Sequence, residues 1–127
     1  MMLPFNPFDG PIVVPTRVFG LGRDLVLLFA LDTGATSSAI KWQFAEMLGY
    51  APAAVPDLVP VITASGMISA PKITFARVEA LGQAEHSFPM LCQPLPPSAD
   101  VDGILGLDFF RGHKLMIDFR IGLVTLE

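Results

Sequence analysis

Apolar residues in this chain come in short runs broken by turn-forming residues, and the runs alternate more often than they follow a helical period. Ile12 to Phe19 predicts a strand, Gly20-Leu21-Gly22-Arg23 a turn, and Asp24 to Leu31 a second strand. The two make a hairpin whose far end delivers Asp32, entered from the apolar, buried-strand run Leu25 to Leu31. Lys41 to Leu48 reads as a short helix with Ser38 as a possible cap and Gly49 as its stop. Its apolar face is Ile40, Phe44, Met47 and Leu48.

Ala51 to Pro60 carries three prolines and reads as a loop. Val61-Ile62-Thr63 and Met67-Ile68-Ser69 then flank Ala64-Ser65-Gly66, which suits a small, polar hairpin tip. Ile73 to Ala80 is expected to be a strand, and His86 to Cys92 another. Pro94-Leu95-Pro96-Pro97 is a connector, since proline neither continues a helix nor donates to a ladder. Val101 to Gly106 returns to apolar character before a short helix from Leu107 to Arg111, ended by Gly112. Leu115 to Phe119 and Leu123 to Leu126 close the chain around a turn at Arg120-Ile121-Gly122. The class is mainly β with one or two short helices.

Composition narrows the picture. A chain of 127 residues is expected to be one domain spanning 1–127, with residues 1–11 as an extended N-terminal arm. Hydrophobic residues make up 52% and charged residues 16%, more apolar surface than a small monomer covers easily, which points to self-association. The net charge of −4, with no Lys/Arg cluster, argues against nucleic acid or anionic lipid as partner. No apolar stretch approaches a membrane span of about 18 residues, and Met1 to Pro7 lacks the blocks of a secretory signal, so a soluble, cytoplasmic protein is expected. The lone Cys92 and the two histidines do not make a metal site at a usual spacing, and Cys92 reads as core.

Chemistry concentrates at Asp32-Thr33-Gly34-Ala35. A carboxylate where an apolar strand breaks into a tight turn needs a partner or a function. Taken alone, Asp-Thr-Gly is also an ordinary Asx-turn, for which Asp and Gly are preferred. The chain has one such motif, whereas acid–base hydrolysis by carboxyl groups uses two in different protonation states. The other candidates are weaker. His86 and His113 read as surface residues, Trp42 as a helix packing residue, Asp102 as a structural turn residue and Asp118 as exposed at the last hairpin.

Leu31-Asp32-Thr33-Gly34-Ala35, Thr63-Ala64-Ser65-Gly66 and Gly103-Ile104-Leu105-Gly106, in that order and spacing, resemble the retropepsin-like aspartic proteases. The resemblance runs from about Ile12 to Leu126, and Leu105 to Phe110 with Ile117-Asp118-Phe119 looks like the bacterial and DNA-damage-inducible branch. It implies a single-lobed closed β-barrel and a symmetric homodimer in which Asp32 of each copy faces its twin, sharing one proton, activating a water and cleaving a peptide. By the same resemblance Thr33, Gly34 and Ala35 support the active loop. Thr63, Ala64, Ser65, Gly66 and Met67 form a flap over the substrate, and Ile104, Leu105 and Gly106 support the cleft. No cofactor or metal is implied. Viral members carry an acidic residue and an arginine where this chain has Thr36 and Leu107, so its dimer would rest on apolar contacts and terminal strands. The flap also lacks the aromatic residue that pepsins use. The alternative is a non-catalytic dimeric peptide-binding module of the same fold; a small β-barrel ligand binder with an accidental Asp-Thr-Gly would instead be a monomer.

Overall fold

Alternation in the first two long runs produces a tight hairpin. Strand β2 (Val13–Phe19) pairs antiparallel with β3 (Asp24–Leu31), from Val13 opposite Ala30 to Phe19 opposite Asp24. This is a computed structural model describing residues 1–95 and 100–127; Pro96 and Pro97 of the expected connector lie outside the described residues. The expectation of a buried β3 is corrected, because the strand is one-sided. Leu27 and Phe29 face the core, while Val26 and Leu28 are 60% and 49% exposed, as the two-residue period of a strand requires.

The sheet closes on itself. Besides β2 and β3 it contains β4 (Ala39–Ile40), β6 (Gly66–Ala80), β7 (Gln83–Cys92) and β8 (Gly103–Leu105). Their order is β2-β3-β8-β4-β7-β6, and β6 returns to β2 through Thr16 opposite Ala80 and Phe19 opposite Arg77. The β3–β8 and β4–β7 pairs are parallel and the others antiparallel, so this is a mixed six-stranded barrel. Its interior is filled by Phe29, Phe75, Phe109, Leu105 and Met90, among others, all at most 1% exposed. Burial of such side chains contributes about 1.5–3 kcal/mol each and dominates the stability of the barrel.

β6 is longer than the expected Ile73 to Ala80 because its first half leaves the barrel. There it pairs with β5 (Leu58–Thr63), forming a hairpin with Ala64-Ser65 as its two-residue turn and Gly66 already in the strand at φ 126°. The region expected to be loop through Pro60 therefore ends earlier, after a 3₁₀ turn at Pro52–Ala54. Pro60 is tolerated because β5 is the edge strand and Pro60 lies opposite Ser69, one position beyond the pairing of Val61 with Ile68, so its nitrogen faces outward. β7 likewise begins earlier than His86.

Helix α1 (Trp42–Met47) is capped by Lys41 without a side-chain bond, and Gly49 stops it at φ 96°. Ser38 is not its cap, because that hydroxyl is engaged elsewhere. Helix α2 (Leu107–Phe110) has Arg111 as its C-cap. The termini form a separate sheet of order β1-β10-β9, from β1 (Met2–Pro4), β9 (Leu115–Asp118) and β10 (Leu123–Leu126). Residues 2–4 of the expected arm are thus tied to β10, with Leu3 opposite Val124.

Candidate active site

Asp32 is positioned by the joint between β3 and β8. Leu31 N–H donates to the carbonyl of Ile12 at 2.8 Å and Asp32 N–H to that of Leu105 at 2.9 Å, so the chain leaves the sheet at a fixed point. The turn then closes on the acid. Gly34 N–H donates to Asp32 Oδ1 at 2.9 Å and Ala35 N–H to the Asp32 carbonyl at 3.2 Å. Asp32 is half-buried, whereas Thr33 and Gly34 are exposed at the apex. Among the described residues the carboxylate has no other hydrogen bond, which leaves Oδ2 open.

Ile104, Leu105 and Gly106 lie directly behind this turn. Ile104 is opposite both Ala30 and Ala39, and Leu105 is fully buried. Gly106 is required by close approach, since a Cβ there would stand 2.7 Å from the Ala35 carbonyl oxygen. From Gly106 the chain starts α2, and Leu107 N–H donates to that same carbonyl at 2.8 Å. Asp108, in the first turn of α2, accepts from Ser38 N–H on both oxygens, at 3.0 and 2.9 Å, and from Ser38 Oγ at 2.6 Å. Ser38 Oγ in turn accepts Gly106 N–H at 2.9 Å. The loop that begins at Asp32 is thereby clamped at its far end.

Ser38 and Asp108 are structural residues that motif reading missed. One signal was available: Asp108 is the only acid between Gly103 and Phe110, an otherwise apolar stretch. Asp102 is structural, but it braces distant segments and not its own turn, its Oδ2 accepting Leu28 N–H at 2.8 Å and its carbonyl accepting Lys41 N–H at 3.0 Å.

The base of the β5–β6 hairpin faces the loop across a cleft of about 450 Å³, lined by Ala35–Ser37, Val59–Ile62, Leu91 and Gln93. Val59 and Val61 pack under it on Ala39, Ala70 and Leu91. At the tip Ala64, Ser65, Gly66 and Met67 are exposed, and Thr63 Oγ1 donates within the hairpin to the Gly66 carbonyl at 2.8 Å.

His86 is exposed as expected, but His113 is not a free surface residue, since its Nε2 lies 3.3 Å from Glu85 Oε1 with 19% of the side chain exposed. Trp42 is 37% exposed at the start of α1 and borders a shallow groove with Pro94 and Leu95. Asp118 is half-buried, not exposed, because it folds back on its own turn to accept Arg120 N–H at 2.8 Å and Ile121 N–H at 3.3 Å. These amides, Arg120 first, hold its carboxyl below the usual range. Cys92 is core, and burial pushes its thiol up to about 11. Among the described residues no helix is long and apolar enough to cross a membrane.

The fold is similar to that of a retropepsin-like aspartic protease from Rickettsia conorii, with a TM-score of 0.76 at 22% identity over 99% of this chain and 89% of that one. No curated protein matches the chain by sequence. The sequence profile described as "Aspartyl protease" matches residues 14–109, a span that contains the Asp32 turn, the hairpin over the cleft, strand β8 (Gly103–Leu105) and the Ser38–Asp108 clamp. The chain belongs to the aspartyl protease family.

Proposed function

We propose that this chain is half of an aspartic endopeptidase, completed when a second copy brings its own Asp32 against the first across a two-fold axis. The observation that carries the reading is a single half-buried carboxylate with one oxygen open, set beside the exposed apex of a turn held by backbone hydrogen bonds. Two such groups face to face cannot both ionise cheaply, so they share a proton. The ionised one takes a proton from a water, and the protonated one donates to the carbonyl oxygen of the peptide as the tetrahedral intermediate forms. Thr33 and Gly34, exposed beside the acid, meet their counterparts at the axis, while Ala35, Ile104, Leu105 and Gly106 hold the loop. The Thr63–Met67 tip closes over an extended peptide and offers backbone hydrogen bonds. No step calls on a cofactor.

The terminal sheet suggests how the copies join. Lys114 and Glu127 exchange backbone bonds of 2.9 and 3.0 Å, and Met116 lies opposite Thr125, so Leu115 and Ile117 turn their N–H and C=O groups to the free edge of β9. The opposite edge, on β1, contains Pro4, which cannot donate. Antiparallel β9–β9 pairing would make one continuous six-stranded sheet. The nearby Met116, Phe119 and Ile121, 49%, 59% and 66% exposed, would be covered by it.

Light scattering combined with peptide-library cleavage by wild type and Asp32→Asn tests the proposal. A dimer that cleaves, and an Asp32→Asn dimer that does not, is the expected result. Cleavage that survives the substitution would remove Asp32 from the mechanism, and a dimer that binds peptides without cutting them would favour the non-catalytic module.

A further inference from the structure

Beyond the last residue of β7 the chain keeps its two-residue period. Leu91 faces the small apolar cluster below the hairpin, Cys92 turns into the barrel core, and Gln93 returns to the cleft side. Gln93 N–H donates to the Ile40 carbonyl at 3.2 Å, which fixes the residue at the cleft wall. Its side-chain Oε1 is fully buried, and no donor among the described residues reaches it. Buried polar atoms are nearly always paired, and one left over beside a cleft is a candidate for a partner that arrives with a ligand. Gln93 lines the cleft, and the broad terminal torsion of glutamine lets its carboxamide turn to meet a ligand there.

The surroundings limit that partner. Among the described residues no charged side chain lines the cleft; Val59, Val61 and Leu91 supply an apolar wall and Thr36 and Ser37 two hydroxyls. An acceptor such as Oε1 repels a carboxylate, and a lysine or arginine head group would be desolvated there without a counter-charge. A neutral donor on an apolar stem satisfies both conditions. We propose that Gln93 is a specificity-determining residue, giving this cleft a preference for a peptide side chain that ends in a carboxamide or a hydroxyl. The inference rests on the reading of the cleft as a binding site for an extended peptide, though not on hydrolysis.

Binding and cleavage are therefore measured separately. Peptides with a reduced, uncleavable central bond, matched as Gln against Met, Thr against Val and Lys against Met at each position in turn, are titrated calorimetrically into wild type, Gln93→Leu and Gln93→Glu. At one position wild type should favour Gln over Met and Thr over Val by about five- to tenfold, the effect of one well-placed hydrogen bond. Gln93→Leu should bring both ratios close to one, and Gln93→Glu should move the preference to Lys. Ratios near one at every position in wild type, a preference that survives in Gln93→Leu, or no binding of any peptide would overturn the assignment. If the contrast holds but the cleavable counterparts stay intact, the peptidase reading falls and the role of Gln93 stands.

Discussion

Ser38 and Asp108, 70 residues apart in the chain, are joined through both carboxylate oxygens, at 2.9 and 3.0 Å to the backbone N–H and 2.6 Å to the hydroxyl. This pair fixes the end of the loop that starts at Asp32, and it does so from the first turn of the helix behind Gly106. Hydrogen bonds to a charged acceptor are worth about 1.5–3 kcal/mol each to remove when partly buried. Asp108→Ala should therefore lower stability by at least that much. It should also reduce peptide cleavage more than the loss of folded protein explains. A cycle with Ser38→Ala, followed by chemical denaturation, should show losses well short of additive, because both substitutions break the same contact.

The free edge of β9 can be tested without disturbing the ladder behind it. Ile117 lies opposite Val124 in a pair that exchanges no backbone bonds, so Ile117→Pro removes an outward donor while leaving the β9–β10 bonds in place. Sedimentation equilibrium should show a monomer with the far-ultraviolet signature of the parent protein. An unchanged dimer would place the contact elsewhere.

Asp118 ties stability to pH. Backbone amides at Arg120 and Ile121 hold its folded-state carboxyl below the unfolded value, so the folded protein binds this proton less tightly than the unfolded chain. The contribution is present above the unfolded value of about 3.9 and is lost as pH falls through the lower folded value. Asp118→Asn keeps the acceptor and removes the titration. Its urea midpoint should fall less steeply than that of wild type below about pH 4.

Cys92 should behave as a reporter of global unfolding. Burial raises its thiol to about 11, so the reactive thiolate is about one part in a thousand at pH 8. Modification by a chromogenic disulfide should be slow in the native protein and match the unfolding rate. Rapid labelling under native conditions would mean that the strand carrying Cys92 opens locally.

The hairpin carrying Asp32, the short helices and the mainly β class were legible because alternation, a local turn and Gly stops sit next to one another in sequence. What escaped reading depends on partners far away. Ser38 looks like a helix cap until Asp108 takes its hydroxyl, and Pro60 looks like loop until β5 proves to be an edge strand. Met2 to Pro4 gain strand character only from β10, and the half-buried state of Asp118 comes from its own turn. Gln93 carries no motif; only the sheet, which sends Leu91 and Gln93 to one face, places it at the cleft.

Mixing tests the shared-acid claim most directly. Wild-type and Asp32→Asn chains are combined at a fixed total concentration, high enough to saturate assembly, and initial cleavage rates are read against the wild-type fraction. If each site needs an acid from both chains, the rate follows the square of that fraction, and an equal mixture keeps about a quarter of the full activity. A rate that falls linearly, leaving about half in the equal mixture, would mean that one chain completes the site alone and would overturn the dimeric mechanism.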